Sequence, residues 1–302
     1  MLSLSSYYIP DSVSGCGIPL FLFSNSRSLL SSLNDDDLEV PMSLIREPAV
    51  AGLFYPDDPQ QLQQSIHHYL NLARTDGHAP KALIVPHAGY RYSGEIAANA
   101  YHLLKPVGDK IHTVILIGPS HHVGFRGVAV PGVDYFATPL GDVLIDKSKI
   151  ADIGDLPFVQ VRDDAHLQEH SLEVQVPFLQ ELLNDFSLVP IVAGNASAKE
   201  IAMVLERLWG GPETLIVISS DLSHYHDYTT AVQIDYETSK AIEQLKPELI
   251  EYESACGRIP VNGLLTVARK FGLSAHILDL RNSGDTAGSK DKVVGYGAYE
   301  FH

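Results

Sequence analysis

Three stretches of this chain repeat one design, in which an unbroken apolar, β-branched run passes into small residues and then into a histidine or an aspartate. They are Lys81-Ala-Leu-Ile-Val-Pro-His87, Thr113-Val-Ile-Leu-Ile-Gly-Pro-Ser-His121-His122 and Thr214-Leu-Ile-Val-Ile-Ser-Ser-Asp221-Leu-Ser-His224. Such runs lack the alternation of a half-exposed strand, so each belongs in a sheet covered on both faces. Leu188–Val192 and Ala275–Leu278 read as buried strands in the same way. Apolar positions at three- and four-residue spacing predict helices over Gln60–Leu72, Glu173–Leu183, Ala198–Leu208 and Tyr236–Gln244, with a kink at Pro177 and a further helix from Pro260 to Phe271. Strands alternating with helices give an α/β fold, a single three-layer α/β/α domain with a largely parallel or mixed central sheet.

In parallel α/β sheets, ligands bind beyond the carboxyl ends of the strands, where loops converge. If the three strands are parallel neighbours, His87, His121 or His122, Asp221 and His224 share one crevice. Imidazoles with one anionic ligand form the usual coordination shell of zinc, iron or copper, and a carboxylate beside them can serve as acid or base. Adjacent residues of an extended segment face opposite ways, so residue spacing leaves His121 and His122 both open. A second cluster, Glu169-His170-Ser-Leu-Glu173, puts His170 and Glu173 on one face of a helix start, where an ordinary capping segment is equally compatible. A third, Ala255-Cys256-Gly-Arg258-Ile-Pro260, sets a thiol near a helix N-terminus and an arginine. Both lower a thiol pKa, and an inert buried cysteine is the competing reading.

Twenty-one Lys and Arg against 37 Asp and Glu give a net charge of −16, which opposes nucleic acid and anionic membranes, and no basic patch relieves it. No apolar run is long enough to span a bilayer. Two distant cysteines, Cys16 and Cys256, suit reduced thiols in a cytoplasmic protein. Residues 1–41 differ from the rest: ten serines fall within the first forty positions, followed by the acidic run Asp35, Asp36, Asp37 and Glu39. Residues 1–44 read as a poorly ordered tail, with Met42 as an alternative natural start, and residues 45–302 as the folded domain.

Taken together, Arg46-Glu-Pro-Ala-Val-Ala-Gly-Leu-Phe-Tyr-Pro56, Pro86-His-Ala-Gly-Tyr90, Gly118-Pro-Ser-His-His122, Glu169-His-Ser-Leu-Glu173, Ser219-Ser-Asp-Leu-Ser-His224, Cys256-Gly-Arg-Ile-Pro260 and Gly295-Tyr-Gly-Ala-Tyr299 resemble the Memo family. Its prokaryotic members are called AmmeMemoRadiSam system protein B. The resemblance implies a fold similar to the class III extradiol dioxygenases, which are non-haem iron enzymes. It implies metal ligation by His87, His121 and Cys256, with Asp221 and His224 as acid/base groups. Tyr90, His122, His170, Glu173 and Arg258 are expected to line the pocket. The dioxygenases place a carboxylate where this pattern has a thiolate, so the expected cofactor is one transition metal, Fe(II) or copper, with zinc as a further option. The expected activity is a metal-dependent oxidoreductase acting on a small molecule or peptide, alongside a radical-SAM protein and a partner domain of the same system. Two alternatives stand beside it: a non-catalytic binding protein, and a hydrolase in which His224 and Asp221 activate Cys256.

Overall fold

The computed structural model describes residues 43–75 and 77–302. The tail expected over residues 1–44 therefore lies outside the described residues, save for Ser43 and Leu44. In chain order the strands are β1 (Ile45–Arg46), β2 (Ala82–Val85), β3 (Thr113–Pro119), β4 (Val128–Val130), β5 (Tyr135–Thr138), β6 (Gly141–Leu144), β7 (Val159–Val161), β8 (Ser187–Ala193), β9 (Thr214–Ser219), β10 (His224–His226), β11 (Ala275–Asn282) and β12 (Val293–Phe301). The α-helices are α1 (Pro59–Leu72), α2 (Tyr90–Tyr101), α3 (Lys147–Ala151), α4 (Asp163–Leu167), α5 (His170–Glu173), α6 (Val176–Leu182), α7 (Ala198–Leu208), α8 (Tyr228–Glu243) and α9 (Arg258–Phe271).

The main sheet is mixed, in the order β10-β12-β2-β9-β3-β8-β4-β7, with β11 on the free edge of β12. β2, β9, β3 and β8 run parallel, so the three histidine- or aspartate-tipped strands are indeed neighbours. Every residue of β2, β3 and β9 is buried, and each large aliphatic there contributes roughly 1.5–3 kcal/mol of burial. Such burial requires cover on both faces. α9 packs on β3 and β9 together with α7, while α2 packs on β2 and β12 together with α1 and α6. β12 lies antiparallel to β2 through Tyr299–Phe301, and its Val293–Val294 end carries β10 beyond the carboxyl end of β2. That register lifts His224 to the same edge of the sheet as His87.

Local signals explain the helix boundaries. Asp58 caps α1 with Pro59 in its first turn, and a reciprocal Ser197–Glu200 capping box opens α7. Two expectations need correction. The predicted Glu173–Leu183 helix is two helices: α5 ends at Glu173 and α6 starts at Val176, because Pro177 has no donor for an interior bond and sits in a first turn instead. The Ala275–Leu278 run is also less buried than expected, with only Ala275 enclosed, because β11 pairs with β12 alone and lies at an edge. A small second sheet, β1-β5-β6, escaped the sequence reading because strands of two to four residues carry no usable periodicity.

Candidate metal centre

Loops following β2, β3 and β9 meet the start of α5 and the turn before α9. His87 is almost fully buried at 2 % exposure, and its backbone N–H donates to Asp221 Oδ1 at 2.7 Å. Its ring Nδ1 lies 2.9 Å from Ser219 Oγ. That hydroxyl donates its one hydrogen to the Ser171 carbonyl at 2.6 Å and receives a Gln175 amide N–H at 2.8 Å, so toward His87 it can only accept. His87 Nδ1 therefore carries the proton, and Nε2 presents a lone pair.

The same logic fixes two more rings. His121 Nδ1–H donates to Glu169 Oε1 at 2.8 Å while its backbone N–H donates to Glu169 Oε2 at 2.6 Å. His224 Nδ1–H donates to the Leu222 carbonyl at 2.8 Å. In His87 and His224 this makes Nε2 the unprotonated nitrogen of the neutral ring, and in His121 it leaves Nε2 as the nitrogen free to ligate, the arrangement a metal ligand requires. His170 opens α5, and its ring stacks on that of His121 with centroids 4.6 Å apart. Phe54 closes its other side at 4.9 Å. One ring nitrogen from each of His87, His121 and His170 lies within 4.8 Å of the others.

Three imidazoles this close cannot all be charged, and burial settles the state of His87 and His170. Desolvation, then His121 and His170, push His87 well below the ordinary histidine range. Desolvation followed by His121 lowers His170 to about 4. His224 is lowered as well, by burial first. Burial alone would raise Glu169, but the hydrogen bonds and charge from His121 outweigh it and hold the carboxyl at about 2. At neutral pH His87, His170 and His224 are therefore uncharged nitrogen donors beside the Glu169 carboxylate.

Cys256 stands at the edge of this group. Gly257 approaches Ser220 so closely that a Cβ there would come within 2.5 Å of the Ser220 Cβ, and this approach brings the sulfur in. Asp221 N–H donates to Sγ at 3.3 Å, and Sγ lies 3.2 Å from His87 Nε2. Because Nε2 is the unprotonated nitrogen, the thiol is the donor. Burial, and then Asp221, push the thiol pKa up rather than down, against the lowering expected from a helix start and Arg258. Asp221 is itself raised to about 7, burial outweighing the N–H of His87.

The remaining candidates divide. His122 is exposed, its ring 6.0 Å from His170 and outside the triad. Arg258 and Cys256 line a cleft of about 570 Å³. Glu173 and Tyr90 face elsewhere. The Glu173 carboxylate takes Arg46 at 2.6 Å, Tyr55 OH at 2.6 Å and the N–H groups of Ala49 and Val50, which leaves it no lone pair for the cluster. Tyr90 OH donates to the Val174 carbonyl at 2.8 Å, and its ring packs on Phe178 in the core. Sequence reasoning gave no role to Glu169 or Ser219, although both sit inside the motifs that carry the candidates. The available signal was an oxygen-bearing residue beside each histidine segment.

Fold and cluster together define a layered α/β protein with a histidine-rich, thiol-flanked site at the carboxyl edge of its parallel strands. The chain belongs to the Memo family: the family described as Memo-like protein matches residues 46–300. A MEMO1 family protein of Metallosphaera sedula is 34% identical over 280 residues, covering 85% of this chain and 99% of the relative. One from Aquifex aeolicus is 36% identical over 263 residues, covering 83% and 97%. An uncharacterized protein from Escherichia coli K12, known as a crystal structure, overlaps 71% of this chain and 98% of its own with 12% identity and a TM-score of 0.45.

Proposed function

We propose that the cluster holds one transition metal and that the protein is a metal-dependent oxidoreductase acting on a small substrate. The observation that carries this reading is the convergence of ring nitrogens within 4.8 Å, with the proton of His87 and of His121 fixed on Nδ1 by an oxygen partner. His87 and His121 would hold the metal, joined by His170 or by the Cys256 sulfur, and the sulfur ligand favours iron, copper or zinc over hard cations. Such a metal, when bound, supplies Lewis acidity or electron transfer to a substrate beside it. Asp221, which titrates near neutrality, can then accept or release a proton close to His87, and His224 keeps a neutral ring beside the cluster. The thiol is held protonated without a metal, which runs against Cys256 as an activated nucleophile. A radical-SAM protein and its partner domain belong to the same proposal as supplier or consumer of the substrate.

Metal analysis of full-length protein purified without oxygen tests the reading. One equivalent of iron, copper or zinc is expected, with His87→Ala and His121→Ala losing it. A folded His87→Ala protein that keeps the full equivalent overturns the assignment. Oxygen consumption that depends on that metal is the result expected of an oxidoreductase.

A further inference from the structure

The cleft beside Cys256 is walled by residues 119–120, 123–125, 193–195, 252, 255–256 and 258–260 and encloses about 570 Å³. Its lining contains no aspartate or glutamate, and Arg258 is its one charged residue. In a chain with 37 acidic and 21 basic residues this is a local reversal of the prevailing charge. The Arg258 guanidinium rests over the Tyr252 ring at 5.4 Å, and among the described residues it has no carboxylate partner and no side-chain hydrogen bond. An arginine carries five donors in a rigid fork suited to a carboxylate, and Arg258 is an unpaired arginine that lines this cleft. Val123, Phe125, Ile259 and Pro260 give the rest of the wall an apolar character. Cys256 is the link: it lines the cleft, and its sulfur touches His87 Nε2 at 3.2 Å.

We infer that the cleft admits a small organic monocarboxylate with an apolar body, its carboxylate held by Arg258 and its other end directed to the Cys256–His87 edge of the cluster. A single cation with no second positive group matches one negative charge better than a dianion. The inference names the substrate class for the site under Proposed function and rests on that reading for the identity of the reactive end. The capture of the anion depends on Arg258 alone.

Charge-selective alkylation of Cys256 tests it. Iodoacetate is itself a small carboxylate and iodoacetamide its neutral counterpart, and the same thiolate displaces iodide from the methylene carbon of each, so the ionisation of Cys256 cancels in the ratio of their rates. The full chain is treated with EDTA, and modification is mapped to the Cys256 peptide by mass spectrometry. The iodoacetate-to-iodoacetamide ratio is expected to exceed that of glutathione by about fivefold, the scale of one partly screened charge pair. Arg258→Gln should bring it back to the glutathione value, and Arg258→Lys should keep most of it. Asn195→Asp sets a negative charge in the lining of the same cleft from an exposed position outside α9, and should lower the ratio as well. A wild-type ratio equal to that of glutathione, or one unchanged by both Arg258→Gln and Asn195→Asp, overturns the inference. Metal content is measured on the same preparations before EDTA is added: absence of metal from the wild type defeats the oxidoreductase reading, while the alkylation ratio still decides anion capture.

Discussion

Glu169 gathers more of the site than any ligand candidate does. Its carboxylate receives His121 through both ring and backbone N–H, and it also receives the N–H of Ser171 at 2.9 Å, which ties the loop after β3 to the start of α5. Replacement by glutamine keeps the shape but sets an amide N–H or a weaker acceptor against the His121 ring, so the ring loses its fixed tautomer. Glu169→Gln should lower metal affinity by about 10–100-fold while full occupancy is still reached at excess metal, as read by competition with a chromogenic chelator. Unchanged affinity would mean that the carboxylate does not orient the ring. His166 makes a separate residue-scale case. It is 2 % exposed, Nε2–H donates to the Ala129 carbonyl at 3.1 Å, and Nδ1 has no partner among the described residues. Burial lowers its pKa to about 4, so the unfolded chain takes up the proton first as pH falls. The stability that neutral His166 contributes is therefore complete above about pH 6.5 and lost as pH drops toward 4, by up to about 3 kcal/mol. His166→Gln, which can still donate to Ala129, should flatten the decline in urea-unfolding free energy between pH 7 and 4.5. A variant that declines as steeply as the wild type would remove His166 from the account.

At the scale of elements, the segment from β1 to Tyr55 acts as a strap across the site. Arg46 reaches the carbonyls of His166 and Glu169 at 3.0 and 2.8 Å as well as the Glu173 carboxylate. Further along, the Phe54 carbonyl accepts the Tyr90 N–H at 2.8 Å, and the Phe54 ring lies against His170. One short segment thus joins α5, which carries His170, to α2, which follows the His87 loop. Glu173 is the knot, buried at 1 % exposure. Removing one member of such a pair leaves the other charge buried, at a cost of about 3–5 kcal/mol. Glu173→Gln should therefore lower the urea midpoint by that equivalent with an unchanged slope, and weaken metal binding in the protein that remains folded. A shift below about 1 kcal/mol would show that Arg46 finds another acceptor. The sequence could not disclose this knot, because Arg46 and Glu173 stand 127 positions apart and Glu173 reads locally as a pocket or capping residue of its own segment. The four central strands were legible for the opposite reason: burial on both faces demands unbroken apolar runs, and those are visible one segment at a time.

On the scale of the whole molecule, the strand order is what makes the site. β9 lies between β2 and β3, so His87, Asp221 and His121 leave adjacent strands at one edge, and β12 brings His224 and β10 to the same edge. The sequence foretold that convergence only conditionally, since three like-tipped strands need not be neighbours. Residue spacing also left open which of His121 and His122 turns inward; the family resemblance pointed to His121, and the Glu169 carboxylate 48 positions away holds that ring. A folded domain that begins near residue 45 remains a prediction, and the family match bears on where to test it. The family match begins at residue 46, and relatives are covered over 97–99% of their own length by 83–85% of this chain. Deleting residues 1–42 should accordingly leave both the urea midpoint and the metal stoichiometry unchanged. Deleting residues 1–56 removes Arg46, Tyr55 and the Ala49 and Val50 amides together, so the Glu173 carboxylate would be buried with none of its four partners. That shorter protein is expected to lose cooperative unfolding and metal binding at once, by circular dichroism and metal analysis. If it folds as well as the longer deletion product, the strap is dispensable and the strand-end loops hold the cluster unaided.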